Sequence, residues 1–150
     1  MPSRASASLK VRGGSRRTTF SPDGSTMYAA ETNTGRLYAW TLAGPGKVAE
    51  GPMGGTGGTP IAGLHGFQLF DSLGVDSAGN VVVATLVSGC LTVVSPTGEM
   101  LDQVMTGDPM TTNVCWGGEG LETAFVTCSA TGRLVSIPWE RPGLKLNFAP

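Results

Sequence analysis

Few side chains in this 150-residue chain can do chemistry, and their spacing narrows the choice further. His65 is the only histidine, set between glycines and leucines in a glycine-rich stretch. It can reach a substrate or move a proton there, or it is a solvated loop histidine. Asn113, in TTNVCWGG at the start of a strand, offers a polar contact or a strand-end hydrogen bond. Two aspartates share the stretch FDSLGVDSAGN, and either Asp71 or Asp76 can cap a turn. Glu31 ends a strand opposite Arg36 across a hairpin, which favours an ion pair over a free acid. Cys90, Cys115 and Cys128 form no CxxC, are odd in number and fall on strands. They read as small buried hydrophobes in a reducing cytoplasm rather than as a disulfide or metal site. No Ser/His/Asp order, Walker loop or nucleotide fingerprint is present, and GGTGG opens no helix to cradle a phosphate.

The elements that must position these groups follow from a repeated phrase. FSPDGSTMYAAETNTGRLYAW, VDSAGNVVVATLVSGCLTVV and WGGEGLETAFVTCSATGRLVSI share one plan: a strand end, a tight glycine turn, a hydrophobic strand, a polar hinge ending in glycine, and a second strand. The hinge glycines Gly35, Gly89 and Gly132 recur at intervals of roughly 40 to 55 residues, the range of propeller blades. The 23 glycines, 10 prolines and short runs rich in Val and Thr give an all-β composition. The expected fold is therefore a partial β-propeller of about three four-stranded blades. In the first blade the strands fall at 18–21, 27–32, 36–42 and 47–51; in the second at 73–76, 81–86, 91–95 and 100–106. The third takes 112–116, 123–129, 133–139 and 144–148. Residues 51–66 read as a surface loop on the rim, and Trp40, Trp116 and Trp139 as packing between blades.

Charge divides the chain at about residue 20. The first 20 residues hold Arg4, Lys10, Arg12, Arg16 and Arg17 with no acid, although the whole chain carries a net charge of −1. Residues 1–19 lack aromatics for stacking on bases and have only a weak amphipathic pattern, which argues against a nucleic-acid or transit role. Residues 1–19 are expected to be an unstructured leader and 20–150 the folded region. No apolar run reaches the roughly 20 residues a membrane helix needs. No partner of either kind, nucleic acid or membrane, is expected.

The blocks from Phe20 to about Phe148, taken in order with the PTGE turn at 96–99 and TTNVCWGG followed by AFVTCSATGRL, resemble the second half of the SMP-30/gluconolactonase/LRE family. The resemblance implies a six-bladed propeller with one divalent cation, commonly calcium, near the channel mouth, and hydrolysis of a sugar lactone or related ester. It implies metal ligands of three kinds: a first-blade Glu, an Asn before the SPDG turn and an Asp in a PDG-like element. Asp71 takes the place of that Asp, with Phe70 and Ser72 flanking it, and is the expected metal ligand and general base. The Asn falls at Arg16, whose guanidinium repels a cation, and the Glu has no counterpart. His65 and Asn113 are the candidate substrate contacts.

The expected function is metal-dependent hydrolysis of a small lactone or ester in the cytoplasm, with the site incomplete. The alternative is a catalytically silent fragment that binds or assembles through open blade edges, for instance as a dimer closing a pseudo-six-bladed ring. The sharp loss of similarity before Phe20 suggests a reading frame that enters the conserved frame partway along.

Overall fold

The computed structural model of the chain describes residues 16–146 apart from 53 and 56. Most of the basic leader and the final residues 147–150, Phe148 among them, lie outside that range.

Three antiparallel sheets follow one another along the chain, with no α-helix among the described residues. The first is built from β1 (Arg16–Phe20), β2 (Thr26–Glu31) and β3 (Arg36–Gly44), with β4 (Lys47–Val48) and β5 (Thr59–Gly63) both pairing β3. The second runs β6 (Leu69–Val75), β7 (Val81–Leu86), β8 (Cys90–Val94) and β9 (Met100–Met105). The third has β10 (Thr111–Gly117), β11 (Thr123–Cys128) and β12 (Arg133–Pro138), with a 3-10 turn at Glu119–Leu121.

The first turn shows how local sequence makes a hairpin. Asp23 of SPDG accepts from the Ser21 hydroxyl at 2.6 Å and the Ser25 N–H at 3.0 Å, while Gly24 takes φ +70°. The serine hydroxyl and these neighbours hold the Asp23 carboxyl at about 2. The hinges expected at Gly35, Gly89 and Gly132 are all left-handed, with φ of 57°, 69° and 65°. At Gly89 a side chain is excluded twice over, since a Cβ would also stand 2.5 Å from the Asp108 carbonyl oxygen.

Packing places the second sheet between the other two. β7 is buried along its whole length, and its alternating side chains serve two cores. Val81 and Val83 join Tyr28, Ala30, Leu37 and Phe70 on one side; Val82 and Ala84 join Val114, Ala124 and Val126 on the other. Each fully buried valine contributes about 1.5 to 3 kcal/mol. The first strands of the sheets adjoin, with β6 touching both β1 and β10.

Residues 16–19, expected to belong to an unstructured leader, are strand, since Arg16–Phe20 pairs with β2; two strand assignments from the sequence also need correction. The strand that completes the first sheet is β5, not residues 47–51, so the stretch expected to be loop contains Thr59–Gly63 paired along β3. Lys47–Val48 forms only a short hairpin on the end of β3. Gly58 permits the approach to β3, because a Cβ there would run into the Trp40 ring. The second correction concerns 144–146, the described part of the strand expected at 144–148. Leu144 donates its N–H to Val75 of β6 at 3.0 Å instead of extending the third sheet, and Gly143 bridges to Asp76. This return path also shields the Trp116 ring, which packs on Gly74 and stands 6.2 Å from Trp139.

Candidate functional site

The end of the molecule that carries Asp71 is shaped by irregular strand starts. β6 breaks register between Phe70 and Leu73, and β10 between Thr111 and Asn113. A bulge frees a side chain from strict alternation and re-aims it. Phe70 is fully buried between the first and second sheets, whereas Asp71 keeps its carboxylate 25% exposed. From β1, on the adjoining strand, the Arg17 Nε comes within 3.9 Å of Asp71 Oδ1, with 63% of the Arg17 side chain exposed. That spacing is an ion pair but longer than a hydrogen bond. The pair thus joins two sheets at an accessible carboxylate.

His65 stands elsewhere. It is exposed in the β5–β6 connection and lines a cavity of about 320 Å³ between the first and second sheets, with Gln68, Phe70, Thr92 and Gln103. Asp71 does not line that cavity. Asn113 is exposed on β10, and its Oδ1 accepts the neighbouring Val114 N–H at 2.9 Å. The strand-local hydrogen bond is therefore one real use of Asn113.

Further along the first strands, a second cavity of about 190 Å³ is lined by Thr19, Leu73, Cys115, Trp116, Leu144 and Leu146. Cys90 and Cys128 are buried thiols as expected, but Cys115 is exposed, because it faces away from the core shared by the second and third sheets.

Other polar side chains prove structural. Glu31 is buried and accepts from the Thr34 hydroxyl at 2.6 Å and the Tyr38 hydroxyl at 3.2 Å. Asp76 caps its turn, as the sequence indicated, through the Ala78 and Asn80 N–H groups. Asp108 went unremarked in the sequence although it organises one rim. It accepts from the Thr131 hydroxyl and the N–H groups of Thr131, Ala130 and Met110, tying the β9–β10 connection to the β11–β12 hinge. These bonds, the Thr131 hydroxyl foremost, hold its carboxyl below the ordinary carboxylate value. Gly107, Asp108 and Pro109 are turn-forming residue types, but nothing in the sequence points to a partner 23 residues later.

A calcium ion asks for six to eight oxygen ligands, several of them carboxylates. Among the described residues no three His, Cys, Asp or Glu side chains gather to hold a metal. The charged group facing Asp71 is a guanidinium, which repels a cation. These residues alone do not fit a divalent ion.

Comparison with known proteins agrees with the all-β architecture of antiparallel sheets. The chain belongs to the SMP-30/gluconolactonase/LRE-like family, whose model matches residues 15–130. A 6-deoxy-6-sulfogluconolactonase of Pseudomonas putida is 30% identical over 119 residues, which is 76% of this chain and 38% of that protein. Two solved structures share the fold: a gluconolactonase of Xanthomonas campestris and the calcium-binding protein regucalcin of Agrobacterium tumefaciens. The first aligns with TM-score 0.64 at 21% identity, over 84% of this chain and 37% of its own. The second gives TM-score 0.64 at 19% identity, over 87% of this chain and 49% of its own. The chain thus spans less than half the length of these relatives.

Proposed function

We propose that the chain supplies part of a sugar-lactone hydrolase, its three sheets being three of six propeller blades and Asp71 its reactive carboxylate. The accessible carboxylate on the first strand of a middle sheet carries this reading, supported by family membership and by a relative named as a sugar lactonase. In the reaction, Asp71 takes a proton from water as the water oxygen bonds to the lactone carbonyl carbon. The ring C–O bond then breaks, and the proton passes to the departing ring oxygen, leaving an open-chain hydroxy acid. Asn113, exposed on the adjoining β10, is proposed as a contact for substrate hydroxyls, whereas His65 lines a cavity that Asp71 does not share and is assigned no part in this step. A calcium-dependent form of the reaction needs oxygen donors from outside the described residues, so no step is assigned to a metal. The exposed thiol of Cys115 suits a reducing cytoplasm.

A second reading is favoured by the Arg17 guanidinium beside Asp71: a silent module that binds or assembles through open surface. The third sheet turns Phe125, Leu134 and Cys115 away from the core, and Leu134 is 68% exposed, a face that another blade or a second copy would cover. Hydrolysis of glucono-δ-lactone, followed as acid release above the buffer rate, separates the two. Activity that falls about 100-fold or more in Asp71→Asn supports the hydrolase. Equal rates in both proteins would remove Asp71 from the chemistry.

A further inference from the structure

Beside Asp71 stands a largely exposed positive charge, the Arg17 guanidinium. Arg17 lies 3.9 Å from Asp71, too far for a hydrogen bond, and Asp71 is its only charged partner among the described residues. A guanidinium presents five N–H donors in a planar fork that matches a carboxylate in two parallel bonds. Most of the Arg17 side chain is open to solvent, yet its strand is fixed at every residue by pairing with β2. The backbone is therefore positioned while the head group stays accessible.

We propose that Arg17 is a binding residue for the carboxylate of a sugar acid, the ring-opened product of a lactone, and that its fixed charge excludes a divalent cation from Asp71. The inference rests on the lactone reading for its ligand class. The geometry sets both halves. A guanidinium beside a carboxylate cancels the charge a cation would need, and the same guanidinium attracts an anion. Asp71 in turn limits the affinity, because its own charge opposes the ligand's. Weak product binding of this kind suits release after ring opening.

The test is calorimetry on the full chain at low salt, with sodium gluconate, neutral sorbitol and calcium chloride as probes. Gluconate should bind saturably in the millimolar range, sorbitol should not, and calcium should give no saturable heat at the same concentrations. Arg17→Gln should weaken gluconate by about tenfold, the loss of one charge-assisted interaction. Arg17→Lys should restore only part of the affinity, because the charge returns without the fork. Asp71→Asn should bind gluconate at least as tightly as the parent chain. Gluconate binding that is absent, that is matched by sorbitol or that is unchanged in Arg17→Gln would overturn the proposal. So would saturable calcium binding that disappears in Asp71→Asn. A chain that binds gluconate through Arg17 but opens no lactone would defeat the hydrolase reading and leave this one standing.

Discussion

Two aspartates five residues apart in number, each followed by serine, sit at opposite ends of β6 and lead different lives. Asp76 is wholly buried, and its oxygens accept from the Ala78 and Asn80 N–H groups, the Asn80 side-chain amide and Arg141 Nε at 3.1 Å. Asp71 is a quarter exposed, sits in a bulge and has one loose arginine contact at 3.9 Å. A carboxylate with every lone pair engaged and no route to solvent is a structural strut. One with spare lone pairs and partial exposure to solvent can meet a ligand. The contrast extends to their partners, since Arg141 ties the C-terminal segment to β6 while Arg17 mainly faces solvent.

The largest effect expected from this contrast is at Asp76. Asp76→Ala strands Asn80 and Arg141 without their acceptor and should cost roughly 3 to 5 kcal/mol. Urea denaturation would show it as a lower midpoint, and a midpoint within error of the parent would break the structural reading. Arg141→Ala should cost less, about 1 to 2 kcal/mol, because Arg141 is itself 36% exposed and Asp76 keeps its hydrogen bonds from Ala78 and Asn80.

Asp108 gives a pH-dependent version of the strut. Its folded pKa is depressed, chiefly by the Thr131 hydroxyl, so its contribution is fully present above the unfolded value near 4. It is lost as pH falls through the lower folded value. Asp108→Asn should therefore lower Tm at pH 7 and differ less from the parent as pH falls below 4. A constant difference across that range would show that ionisation is irrelevant there.

The smallest effect on stability belongs to the other end of β6. Asp71→Ala and Arg17→Ala should each shift folding free energy by no more than about 0.5 kcal/mol, as for exposed ion pairs. A loss comparable to Asp76→Ala would erase the distinction and make Asp71 a strut as well.

Much of the fold was legible because it is local. The hairpins β2–β3, β7–β8 and β11–β12 were readable from apolar strands joined through a left-handed glycine, a conformation that side chains disfavour. Family membership was readable in the ordered blocks from Phe20 onward, and the match over residues 15–130 agrees with it. The site was less legible. Asp71 was singled out by its place in those blocks, but nothing in RRTTF announced that Arg17 would face it. That meeting depends on β1 and β6 adjoining, two strands separated by an entire sheet in sequence.

The sequence by itself determined hairpins, turn chemistry and the family, since short-range alternation and backbone sterics act between neighbours along the chain. Only the tertiary structure decided which strand closed the first sheet, where the C-terminal segment returned and which charge each aspartate met. An open strand edge or a buried carboxylate accepts whatever donor packing brings to it, and that donor comes from far along the chain. β5 took the edge of β3 across an intervening hairpin, and Arg141 reached Asp76 from 65 residues away. The same physics left Asp71 with a distant arginine and an open face, which is why one aspartate of the pair is a strut and the other an accessible carboxylate.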